Sequence, residues 1–133
     1  MKRRTFVAST LALATLPFGA IAGPDFIEYR PGLIQEELAA GKTVMVDYSA
    51  KWCSTCARQA RVINGLRAHN ADYDAKMVFV KVDWDTYRSH EVTKTRNVPR
   101  RSTLILLRGQ DELGRIVAGT SESQIQSLLD QGL

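Results

Sequence analysis

The sequence predicts an α/β domain with a central mixed sheet of four to five strands flanked by helices. Apolar runs of strand length alternate along the chain with segments of helical spacing, the pattern of a sheet covered by helices. At 133 residues, with 44% hydrophobic and 24% charged content, the chain has the size and balance of one globular domain. Both cysteines fall in one stretch, Trp52-Cys53-Ser54-Thr55-Cys56, where an apolar strand-like run gives way to a helix-like segment.

Taken in order, Phe26 to Tyr29 is a short edge strand, and Pro31 to Ala40 is a helix opened by proline and stopped at Gly41. Val44 to Tyr48 is a buried strand, apolar on both faces except for Asp47. Ser54 to Asn70 reads as a helix, because Ala57, Ala60, Ile63 and Leu66 recur at helical spacing and leave Arg58, Arg61 and Arg67 outward. Met77 to Val82 is a second buried strand, and Thr86 to Arg96 a polar helix with few apolar anchors. Leu104 to Leu107 is a third strand, Gly109 to Glu112 a turn, and Gly114 to Ala118 a strand that pairs back as a hairpin. Ser121 followed by Gln124 forms a capping box that opens a last helix through Leu129.

Residues 1–22 read as a secretory signal peptide. Lys2, Arg3 and Arg4 form a basic start, Phe6 to Ala20 an apolar stretch broken by Pro17, and Ala20-Ile21-Ala22 a small-x-small cleavage site. An uncleaved anchor is the alternative, although a span needs about 20 apolar residues. Arg3-Arg4 followed by Thr5 and Phe6 resembles a twin-arginine export signal. Residues 23–133 then form one domain, without internal repeat or linker. Removing Lys2, Arg3 and Arg4 lowers the net charge from +4 to +1, because every acidic residue lies at Asp25 or later. The basic pI therefore gives no ground for a nucleic-acid partner.

Export places the cysteines in an oxidising compartment, where a structural disulfide is the plain expectation. A ring enclosing only Ser54 and Thr55 constrains the unfolded chain little, so the spacing points to chemistry instead. On the first turn of a helix the two sulfurs lie on nearly the same face and close a disulfide without backbone rearrangement. The partial positive charge at the helix start favours a thiolate at Cys53, making it the nucleophile and Cys56 the resolving thiol.

The run Val46-Asp47-Tyr48-Ser49-Ala50-Lys51-Trp52-Cys53-Ser54-Thr55-Cys56, and the order of elements across residues 26–131, resemble the thioredoxin superfamily. The flavour of Tyr48 to Cys53 is similar to the exported thioredoxin-like domains that reduce periplasmic disulfides, and Gly119 matches the family's glycine before the last helix. The resemblance implies a thioredoxin-like fold. Cys53 and Cys56 are then its redox disulfide, Trp52 the aromatic shield, Asp47 the buried proton acceptor for Cys56, and Lys81 the lysine that accompanies that acid. The residues agree independently, since a carboxylate in an apolar strand has a raised pKa unless paired, which suits proton transfer near neutrality.

One position departs from the family. A cis-proline ordinarily stands opposite the C-x-x-C, directly before a Thr-Leu strand; here Arg101-Ser102 precedes Thr103-Leu104 and places Ser102 there. A cis bond before a non-proline residue costs about 2.5 to 4 kcal/mol, so the Arg101-Ser102 peptide is expected to be trans. The alternative is that the loop slides and Pro99 takes the role. Ser102 would bring a hydroxyl close to Cys53, and Arg101 would flank the surface that meets an extended substrate, with Arg96 and Arg100 nearby. His69 and His90 read as helix-surface residues and Trp84 as a packing residue at a strand end.

The leading expectation is an exported, monomeric thiol-disulfide oxidoreductase without a cofactor, reducing disulfide-containing periplasmic proteins and recharged by a membrane electron donor. A second reading is a binding module in which the two thiolates hold a soft ion such as Cu(I), enabled by the missing cis-proline.

Overall fold

A computed structural model describes residues 26–133, so the signal-peptide reading of residues 1–22 lies outside the described residues. The elements run β1 (Ile27–Glu28), α1 (Leu33–Ala39), β2 (Thr43–Ser49), α2 (Ser54–His69), α3 (Asp72–Lys76), β3 (Met77–Asp83), α4 (Trp84–Tyr87), α5 (Glu91–Lys94), β4 (Thr103–Arg108), β5 (Asp111–Val117) and α6 (Glu122–Asp130). They build a five-stranded sheet in the order β1-β3-β2-β4-β5, with β1, β3 and β2 parallel and β4 and β5 antiparallel. The expected mixed α/β sheet is therefore present.

Strand alternation divides the core into two layers. Val44, Val46 and Tyr48 of β2 pack with Leu33 and Ile34 of α1 and Val92 of α5. Met45 points the other way, among Ile63 and Leu66 of α2 and Ile125 and Leu128 of α6. Successive strand side chains alternate in face, so Asp47 lies on the Met45 side, the side covered by α2. Its parallel neighbour in register is Lys81, which by the same alternation shares its face with Phe79.

Several local expectations are corrected. The polar stretch 86–96 is two short helices rather than one. Each has its own side-chain cap, Asp83 Oδ2 accepting from Thr86 N at 3.2 Å and His90 Nδ1 accepting from Val92 N at 3.1 Å, and two caps define two starts. His90 is therefore a half-buried cap stacked edge-on against Tyr29 and Tyr87, whereas His69 stays exposed on the last turn of α2. The helix α3 was not foreseen; it is a single turn whose Tyr73 is buried and hydrogen-bonds Asp130. The turn of the last hairpin shrinks to Gly109 and Gln110, Gly109 taking φ +59°, and β5 begins at Asp111 because its register with Arg108 is already set there.

On α2 the buried face holds Cys56, Gln59, Ile63, Leu66 and Arg67, and Ala57 is exposed. Arg67 is not outward. Its Nε meets Asp74 Oδ1 at 2.7 Å and its guanidinium carbon lies over the Phe79 ring, 4.1 Å from the centroid, so its charge is paired and also faces an aromatic ring. Among the described residues no helix is long and apolar enough to cross a membrane.

Candidate active site

The strand β2 ends at Ser49, and a tight connection through Ala50 and Trp52 delivers Cys53 to the N-cap of α2. Cys53 is extended there, with φ −89° and ψ 110°, and its sulfur accepts the free N–H of Cys56 at 3.2 Å. A helix start leaves its first N–H groups without intrahelical partners, so this sulfur occupies a capping position that favours negative charge. The Cys53 and Cys56 Cα atoms are 5.3 Å apart and their sulfurs are joined as a disulfide. Both residues are buried, whereas Trp52 is 61% exposed beside them.

Asp47 is fully buried, and neither of its carboxylate oxygens has a hydrogen-bond partner. Burial pushes its pKa from 3.8 up to about 7, against the opposing pull of the Lys81 ammonium. A solvated Asp47 at a strand end is thereby excluded. Lys81 is half-buried and, with Cys53, Cys56, Ala57 and Asp83, lines a cavity of about 190 Å³ next to the disulfide. That cavity puts Lys81 and both cysteines around one space.

Ser102 occupies the place opposite the sulfurs. Its Oγ is 3.2 Å from Cys53 Sγ and 3.0 Å from Cys56 Sγ, and the residue is completely buried. Among the described residues no peptide bond is cis, and Pro99 is exposed, so the loop does not slide. Instead Ser102 adopts a left-handed φ of +62°, which for a residue with a Cβ is disfavoured by roughly 1–2 kcal/mol. Backbone pairing holds it: Ser102 N donates to Tyr48 O at 2.7 Å, and its carbonyl accepts from Ala118 N at 2.8 Å.

Arg101 lies with its guanidinium carbon 4.3 Å from the Trp52 ring centroid, and Trp52 Nε1 donates to Asp85 Oδ2 at 2.9 Å. Trp52 is thus fixed from both sides although it is exposed. The arginine cluster does not converge. Arg96 donates to Val92 O of α5 at 3.4 Å and its own carbonyl accepts from Arg115 of β5, while Arg100 is exposed. Trp84 packs against Ala50 and the cysteines, as a packing residue should.

Sequence reasoning missed Gln59. It is fully buried and its Nε2 donates to Ser102 O at 3.0 Å and to Gly119 O at 2.8 Å, while its Oε1 is buried without a partner. Cys56, Gln59, Ile63 and Leu66 lie three, four and three residues apart, which is the true buried stripe; a glutamine within it was the available signal. Among the described residues no group of three or more His, Cys, Asp or Glu side chains is placed to hold a metal ion.

The family described as Thioredoxin matches residues 28–131. Thioredoxin H2-1 of Oryza sativa subsp. japonica is 33% identical over 89 residues, which are 67% of this chain and 59% of the rice protein. The H-type thioredoxin of Brassica campestris is 25% identical over 114 residues, covering 86% of this chain and 87% of that protein. Among solved structures, Trxlp from Edwardsiella tarda superposes with a TM-score of 0.67 at 32% identity, over 77% of this chain and 97% of that one. The matched span contains both cysteines, Asp47, Lys81 and Ser102. The chain therefore belongs to the thioredoxin family, and its paired cysteines make the domain a thiol-disulfide oxidoreductase.

Proposed function

We propose that this protein is exported and, in the periplasm, reduces disulfides of partner proteins. The observation that carries the reading is Asp47, a buried unpaired carboxyl with a pKa of about 7 on the face covered by the cysteine-bearing helix. An acid that titrates near neutrality can take a proton in one step and return it in the next.

The Cys53 thiolate attacks one sulfur of the partner disulfide, forming a Cys53-partner mixed disulfide and releasing the other partner sulfur as a thiolate. Cys56 gives its proton to the Asp47 carboxylate, and its thiolate attacks Cys53 Sγ. The second partner sulfur leaves as a thiolate, and the Cys53–Cys56 disulfide forms. Two electrons have passed to the partner, and a dithiol donor at the membrane returns two to the protein. Trp52, held by Arg101 and Asp85, presents a rigid apolar surface at the point of attack. Export is supported by the basic start and apolar stretch within residues 1–22, and the reducing direction by the likeness of Tyr48 to Cys53 to periplasmic reducing domains. The protein acts as a monomer in this reading, because one chain holds every group the exchange uses.

The test is reduction of insulin by the dithiol-charged protein, followed as precipitation of the released chain. Wild type is expected to turn over and Cys53→Ser to be inert; undiminished turnover by Cys53→Ser would overturn the assignment.

A further inference from the structure

We infer that Gln59 is a positioning residue, which holds the Ser102 hydroxyl where it stabilises the Cys53 thiolate. The inference rests on the oxidoreductase reading above and assigns a role to a side chain outside the C-x-x-C motif.

A serine hydroxyl between two sulfurs can donate one hydrogen and accept another. With Oγ at 3.2 Å from Cys53 Sγ and 3.0 Å from Cys56 Sγ, the reduced pair can form a directed chain. The Cys56 S–H donates to Ser102 Oγ, whose O–H donates to the Cys53 thiolate. A hydrogen bond to the charged form favours that form, and it is stronger to a thiolate than to a neutral disulfide sulfur. The hydroxyl therefore stabilises the reduced protein more than the oxidised one.

Its placement needs a fixed backbone, and the left-handed φ of +62° at Ser102 is not one that a serine holds by itself. The bonds to Tyr48 O and from Ala118 N come from the sheet. Gln59 adds a tie from α2, the helix that carries the cysteines, and so sets the distance between that helix and the serine. The same amide binds Gly119 O, next to Ala118, which is itself left-handed at φ +62°. One side chain thus pins the segments just before β4 and just after β5. Among uncharged side chains only an amide offers two N–H donors for two carbonyls. Had the position only needed filling, methionine or leucine would do so without burying the unpartnered Oε1.

The test compares the full chain with Gln59→Met, Ser102→Ala and the double variant. Two quantities are read: the pH midpoint of Cys53 alkylation and the reduction potential against glutathione. Gln59→Met is expected to raise the midpoint by about one unit, a tenfold loss of thiolate below it. It should also make the pair more reducing by about 30 mV, the equivalent of that tenfold change. Ser102→Ala should shift both in the same direction, and adding Gln59→Met to it should give no further shift. An unmoved midpoint in folded Gln59→Met, or an equal shift in the Ser102→Ala background, overturns the role. If Gln59→Met does not fold, Gln59→Asn, one methylene too short, must move the midpoint the same way, and an unmoved value there is equally fatal. A wild-type protein with no reactive Cys53 and no insulin reduction would bring down the oxidoreductase reading instead, which keeps the two failures apart.

Discussion

Replacing Asp47 with asparagine should make the protein progressively more stable relative to wild type as the pH rises from acid to alkaline. The carboxyl titrates at 3.8 in the unfolded chain and at about 7 in the folded one, because burial without a hydrogen-bond partner opposes its charge. Below the lower value it is neutral in both states, and its contribution is fully present. Between the two values the unfolded chain has released a proton that the folded chain still holds, so stability falls by up to about 1.4 kcal/mol per pH unit. Above the folded value the loss is complete. A rise of about three units makes the total about 4 kcal/mol, a large share of the 5–15 kcal/mol that typically stabilises a domain. Asparagine has nearly the same shape and never ionises, so it removes this pH dependence and leaves only a constant offset from its own buried amide. Urea unfolding of the disulfide form measures it cleanly, since bridged cysteines do not titrate. The stability of Asp47→Asn relative to wild type should grow by about 3 kcal/mol between about pH 5 and about pH 8.5. A difference that stays constant with pH would refute the reasoning, for it would mean that Asp47 is hydrated or paired and titrates as in the unfolded chain.

Two further substitutions probe the frame around the site. At Ser102 a glycine should give a protein more stable than an alanine by about 1 kcal/mol, because φ +62° is free for glycine and strained for any side chain; urea midpoints that rank alanine higher would contradict the left-handed conformation. Arg67→Met should lower unfolding stability by about 2 kcal/mol, less than for a fully buried pair because the Asp74 side chain is 35% exposed and water screens it. Unchanged thermal unfolding of that variant would return Arg67 to the solvent-facing role its sequence position suggested.

The strands and the redox motif were legible in the sequence because their signals are local. Val44 to Tyr48 and Met77 to Val82 are apolar runs that only a buried strand accommodates, and Cys53 and Cys56 are paired by three residues of helix. Asp47 was legible for the same reason, as the one carboxylate in an apolar strand. Arg67 was misread and Gln59 passed over because hydropathy assigns polar side chains outward, whereas burial is decided by partners. Asp74 and two aromatic rings wait for the arginine, and two carbonyls for the glutamine. The split of residues 86–96 into two helices turned on side-chain caps at Asp83 and His90, which compete with a continuous helix at short range.

Sequence by itself determined the class of sheet, the cysteine pair at a helix start and the residue standing where the family keeps a cis-proline. Tertiary structure alone decided what that residue does. Ser102 is 46 residues from Cys56 and 43 from Gln59, so its contacts are fixed by how β4 and β5 pair and where α2 lies against them. Hydrogen bonds act over about 3 Å and are blind to sequence distance, and a serine in a loop gains its meaning only when folding brings two sulfurs to it.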